Sequence, residues 1–228
     1  MNTITDEAGN YREGIAATAD PVGTVPRSGD VWFNKWFVKA NFSSGLVPMW
    51  VGGAETPGSQ TGVGDVTILY HEIFHSLGIE HPNDNPDKPF PAEKNFREYS
   101  VMAGGFSVDG ASSYYVDGKD YAIASTPMAY DIAALQHLYG ANLKHNSGDT
   151  VYTLDPNTPE IKLIWDGAGT DTLNFTNFLE SITINLNGGS YSTVPFNGWL
   201  LKNNISIAFD AVIENVITGS GADVIIGN

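Results

Sequence analysis

The most constraining feature of this chain is one short run, His71-Glu72-Ile-Phe-His75-Ser-Leu-Gly78-Ile-Glu-His81. Five fixed positions of this kind would arise by chance in such a chain with a probability of about 10⁻⁴. The run lies in a segment that reads as a helix, with Asp65 as its N-cap, apolar residues at helical spacing from Val66, and Gly78 as the residue that ends it. His71 and His75 are then i and i+4 on one face, able to hold one metal ion. Gly78 lets the backbone leave the helix in a left-handed conformation and turn His81 back toward that ion. Three neutral imidazoles leave one position for water, the arrangement of a catalytic zinc. Glu72 is rotated by about 100° from the ligand face, where a general base for attack of that water on a carbonyl belongs. The bland alternative is three incidental histidines on a helix and loop, but the whole chain has only five, and three fall here.

The rest of the composition agrees with a metal-dependent protein. Cysteine is absent, which excludes disulfides, thiolate metal sites and cysteine nucleophiles, so any staple must use His, carboxylates or backbone oxygens. The formal net charge of −15, with only 11 Lys and Arg among 228 residues, argues against nucleic acid or an anionic membrane as the main partner and favours cations. The N-terminus has no basic region followed by an apolar run, so no secretory signal peptide is expected there, and the apolar runs are too short to span a bilayer.

The pattern changes along the chain. Residues 1–28 read as loop or a weakly ordered lead-in, 30–42 as strand, 52–64, 83–93 and 104–119 as loops, and Pro127 to Tyr139 as a second helix ended by Gly140. After Asn142 short alternating segments, such as 181–186, 205–209 and 211–217, are separated by Gly, Asn and Asp turns. A boundary is expected at 140–145. The fold class implied is an α+β domain over residues 1–142, a zinc helix with a small twisted sheet, followed by an all-β, calcium-binding domain over 143–228.

The pattern H-E-x-x-H-x-x-G-x-x-H places the chain beside the metzincin metalloproteases, and Pro82 after the third His makes it similar to the serralysins, the RTX-type zinc proteases secreted by bacteria. Tyr99-Ser-Val-Met102 resembles the family's Met-turn, and residues 131–142 resemble the segment that ends its catalytic domain. The resemblance implies zinc on His71, His75 and His81, Glu72 as catalytic base, and Met102 as the floor of the site. It implies that the strand at Val31, Trp32, Phe33 and Asn34 pairs with extended substrate, although an ordinary core strand fits the same residues. Protein or peptide substrates, a protein inhibitor, a monomeric state, no membrane insertion and an extracellular location are further implications. Two departures stand out. The family carries a Tyr two residues after the Met-turn Met, where this chain has Gly104, which implies altered or weaker activity, and the stretch before Gly29 is short for the family, so the catalytic sheet is expected to be incomplete.

Two runs, residues 166–174 and 218–226, approximate the calcium-binding nonapeptide G-G-x-G-x-D-x-U-x of parallel β-rolls, each without its first Gly. By resemblance, one site joins Asn146, Gly148 and Thr150 to Asp166, Gly169 and Asp171, while Glu214, Gly219, Gly221 and Asp223 belong to others. A roll ion lies between successive turns, so either the calcium repeats are expected to be truncated or the last loop to be only a half-site. Plain Gly/Asp turns are the alternative reading. His137 and His145 are expected to be a packed or solvated residue and a loop residue. The rival to a protease is a non-catalytic zinc- and calcium-binding module.

Overall fold

The computed structural model describes residues 17–19, 29, 31–33, 64–87, 90–103, 124–197 and 201–228. The chain forms two compact units, divided between Pro89 and Phe90. In the first, strand β1 (Ala17–Ala19) pairs antiparallel with β2 (Val31–Phe33), Thr18 opposite Trp32. Helix α1 (Gly64–Ser76) packs against both strands. Its start lies one residue before the expected cap Asp65. Its end is a Schellman motif: Ile79 N–H donates to Phe74 O at 2.9 Å and Gly78 N–H to His75 O at 3.0 Å. Gly78 adopts φ +88°, a conformation in which a side chain would be strained. The expected strand over 30–42 is observed as β2 within its first part; Asn34 and the remainder lie outside the described residues, as does the expected loop at 104–119.

The second unit begins with a turn-rich segment containing a short 3-10 helix, Ala92–Lys94, and continues into helix α2 (Ala129–Tyr139). Pro127 precedes α2 instead of opening it. The helix is capped by its own Asp131, whose carboxylate accepts from Met128 N–H at 2.8 Å. The same carboxylate reaches the Tyr99–Met102 turn, accepting from Ser100 Oγ at 2.5 Å and Val101 N–H at 2.8 Å. Asp131 is 1% exposed, and burial pushes its carboxyl up to about 6 against the hydrogen bonds from Ser100, Val101, Met128 and Met102 that pull it down.

Beyond α2 the chain is made of short strands: β3 (Val151–Thr153), β4 (Lys162–Ile164), β5 (Thr172–Asn174), β6 (Thr183–Asn185), β7 (Tyr191–Ser192), β8 (Ile205–Ile207), β9 (Asn215–Ile217) and β10 (Val224–Ile226). The segments expected at 181–186, 205–209 and 211–217 contain β6, β8 and β9; β3, β4 and β7 were not singled out from the sequence. Successive strands switch sheets, except β7 and β8, which pair antiparallel. β3, β5 and β9 form one parallel sheet, with Val151, Thr172 and Asn215 in register, while β4 and β8 pair parallel in a second and β6 and β10 in a third. Parallel neighbours far apart in sequence, joined through Gly/Asp turns, are the signature of a coil that winds and stacks on itself.

Side chains between the sheets form the core, with Leu173, Phe175, Phe178, Ile184, Ile205 and Ile207 at most 1% exposed. Buried Asn204 ties this core to the backbone. Its Oδ1 accepts from Val194 N–H and its Nδ2 donates to the carbonyls of Val194 and Glu160, so the amide is satisfied where it would otherwise be costly.

Candidate metal centre

One helix and the turn after it bring three imidazoles together. The Nε2 atoms of His71, His75 and His81 lie 3.1 Å (71 to 81), 3.2 Å (71 to 75) and 3.1 Å (75 to 81) apart. Zinc bound tetrahedrally to nitrogens at its usual bond length separates them by about 3.3 Å, so the triangle has the right size. Its hydrogen bonding also fits. His75 Nδ1 faces the Ile79 carbonyl at 2.9 Å and His81 Nδ1 faces Asp84 Oδ2 at 2.8 Å. Both partners are acceptors, so both Nδ1 atoms carry the proton, and in the neutral rings Nε2 is a bare lone pair. Two lone pairs 3.1 Å apart repel, and a cation between them turns the repulsion into attraction. Burial holds His75 below its ordinary pKa, against the pull of the Ile79 carbonyl, so its ring is neutral and free to ligate. Among the described residues these three form the one group of three or more His or carboxylate side chains whose ligand atoms all lie within 4.8 Å of one another.

Glu72 follows the first imidazole and is 8% exposed. Burial raises its carboxyl to about 7, with His81 pulling the other way. A carboxyl that titrates near neutrality beside a metal position can take and return a proton under physiological conditions. Asp84, which the sequence reading missed, completes the centre. Its carboxyl is held below its ordinary value chiefly by the His81 hydrogen bond. An acid three residues after the last His of the run was the available signal.

Two further site expectations concern Met102 and the strand at Val31. Met102 is buried in the second unit, in the turn that Asp131 holds. Val31 is half-buried in β2, paired on one edge to β1.

The Gly/Asp loops of the second unit stack as coils. Gly169, at φ +139°, passes so close to the preceding coil that a methyl group there would meet Gly148 O at 2.7 Å. Asp171 is fully buried; its Oδ1 accepts from Thr150 N–H at 2.8 Å, and its own N–H donates to Glu214 Oε2 at 2.7 Å. Asn146, at φ +48°, meets Asp166 through Tyr152: Nδ2 donates to the phenol oxygen at 2.9 Å, and the phenol donates to Asp166 Oδ2 at 2.7 Å. Glu214, expected to serve a different ion, thus lies against Asp171. In the last loop, Gly219 and Gly221 pass under the carbonyls of Phe178 and Glu180, and Asp223 Oδ1 accepts from Ile182 N–H at 3.0 Å.

Calcium suits the first of these loops. Asp171 Oδ2 is buried with no hydrogen-bond partner, and burial raises the Asp171 carboxyl, assisted by the negative charges of Asp166 and Glu214. A buried, unpartnered carboxylate oxygen near two other acids is offset by a hard dication with oxygen ligands.

His137 is exposed in the last turn of α2, and His145 is an exposed loop residue whose ring lies 5.0 Å from that of Trp165.

Comparison with known proteins agrees with the motif. A family model described as the peptidase M10 serralysin C-terminal domain matches residues 130–228. The metallopeptidase AprA of Pseudomonas marginalis is 40% identical over 179 residues, 70% of this chain and 36% of that protein. Serralysin B of Dickeya chrysanthemi is 36% identical over 240 residues, 99% of this chain and 46% of its own length. Serralysin of Photorhabdus luminescens is 40% identical over 174 residues, 69% of this chain and 35% of its own. The chain therefore spans less than half the length of the curated relatives it matches. With the serralysin C-terminal model matching residues 130–228 and serralysin relatives aligned with nearly all of the sequence, the chain is serralysin-like.

Proposed function

We propose that this chain is a zinc-dependent endopeptidase acting on extracellular proteins, with a metzincin-like catalytic half through residue 142 and a calcium-held β-rich half over 143–228. The observation that carries the reading is the triangle of three Nε2 atoms, 3.1–3.2 Å on a side, with buried Glu72 one residue beyond its first member. Zinc, when bound there, supplies Lewis acidity toward a peptide carbonyl and lowers the pKa of a water. His71, His75 and His81 hold it. Glu72 takes the proton of the attacking water and delivers it to the leaving amine, from a buried position one residue after the first imidazole. Val31 to Asn34 pair with extended substrate. Asp166, Asp171 and the carbonyls of Gly148 and Gly169 hold calcium, which takes the place of disulfides in a chain without cysteine.

A second reading, a non-catalytic zinc- and calcium-binding module, is favoured by Gly104, which stands where the family's intermediate-stabilising Tyr would be. Casein cleavage with and without a zinc chelator, by wild type and Glu72→Gln, separates the two. The enzyme reading expects chelation to abolish cleavage and Glu72→Gln to lower it by about 10²–10⁴. Wild-type cleavage no faster than the variant's would establish the binding module instead.

A further inference from the structure

The geometry points to Asp84 as the positioning residue that orients the third imidazole and fixes its tautomer for the metal, an inference that rests on the reading of His71, His75 and His81 as zinc ligands. The three rings are not held alike. His71 and His75 are carried on α1, whose backbone fixes their spacing, and His75 is further set by the Ile79 carbonyl. His81 is carried on the turn beyond the helix and is exposed, so nothing in regular secondary structure fixes its rotamer. Asp84 supplies what the helix does not. One carboxylate oxygen accepts both from His81 Nδ1 at 2.8 Å and from His81 N–H at 3.1 Å, while Asp84 N–H donates to the His81 carbonyl at 3.1 Å. Ring and backbone of the same residue are thus tied to one acceptor, and the ring is left one rotation, with Nε2 toward its two partners.

A carboxylate facing Nδ1 also keeps the proton there and raises the basicity of Nε2, as carboxylates behind metal-bound imidazoles do. Asp84 is half-exposed, at 52%, so removing it leaves no buried group without a partner. Its effect should therefore fall on the metal and spare the fold.

Zinc affinity, measured by competition with a chromophoric chelator, tests this together with the melting temperature of the zinc-free protein. Asp84→Ala is expected to weaken zinc binding by about 10–100-fold and to leave the zinc-free melting temperature within about 2 °C of wild type. Asp84→Asn, whose amide oxygen still accepts from Nδ1, should recover part of the affinity. Asp87→Ala, which removes an equal charge from the same loop without a contact to His81, should bind zinc as wild type does. Affinity of Asp84→Ala within twofold of wild type, or an equal loss in Asp87→Ala, overturns the positioning role while leaving the zinc reading intact. Wild type that binds no zinc overturns both.

Discussion

The two candidate metal sites are built in opposite ways. The imidazole site comes from one helix and the turn after it, and its Nε2 atoms already sit a zinc's width apart. The Asp/Gly site is assembled from three coils, because Thr150, Asp171 and Glu214 become neighbours only through the parallel register of β3, β5 and β9. Its side chains are held apart by backbone hydrogen bonds, and one oxygen, Asp171 Oδ2, is left buried and unpartnered. A site made of local geometry can exist before the fold around it is complete. A site made of stacked coils exists only once the coil has formed, so its ion and its fold stabilise each other.

The largest effect expected within the second unit comes from Asp131. Asp131→Ala removes the acceptor of two buried backbone N–H groups and a hydroxyl, at about 1–3 kcal/mol for each group stranded. Chemical denaturation should register a loss of about 3–5 kcal/mol; a loss below about 1 kcal/mol would mean that the turn at 99–102 is held by other contacts.

Calcium removal is expected to come next. With calcium at about 100 times its dissociation constant, binding contributes about 2.7 kcal/mol, so melts in EGTA should lie clearly below melts in calcium. Superimposed melts would remove the calcium site from the account.

Asp171→Asn sharpens the comparison, because its sign depends on calcium. The folded-state pKa of Asp171 is raised, so its ionisation opposes folding: the penalty is absent below its unfolded pKa of about 4, grows as pH rises above it and levels off beyond the raised folded-state value. Without calcium, Asp171→Asn should therefore be more stable than wild type by a margin that widens above about pH 4. With calcium it should be less stable. A margin that does not change with pH would show that Asp171 is not the strained group.

The smallest effect is at Gly78. Gly78→Ala places a side chain at φ +88° and should cost about 1 kcal/mol, with some loss of zinc affinity because the turn carries His81. A neutral substitution would mean that the turn can be made in another way.

The same contrast explains what was legible in the sequence. The zinc helix, its ending at Gly78 and the placement of His81 were readable because helical periodicity and a glycine stop act over a few residues. The second helix was placed within two residues, and its start was misjudged because Asp131, a tertiary anchor for the 99–102 turn, also caps the helix in place of Pro127. Strands of two or three residues carry little alternation of their own, and their partners lie far away in sequence, so β3, β4 and β7 were not singled out and no pairing could be read. Of the candidate site, the three imidazoles and Glu72 lay in one motif, while Asp84, three residues after His81, and Tyr152 lay outside it.

The central claim is tested most directly by zinc content and affinity in wild type and His81→Ala, measured by elemental analysis of the dialysed protein and by chelator competition. One tightly held zinc per chain is expected in wild type, lost on dialysis from His81→Ala. Wild type that retains no zinc, or His81→Ala that retains it with unchanged affinity, would contradict it.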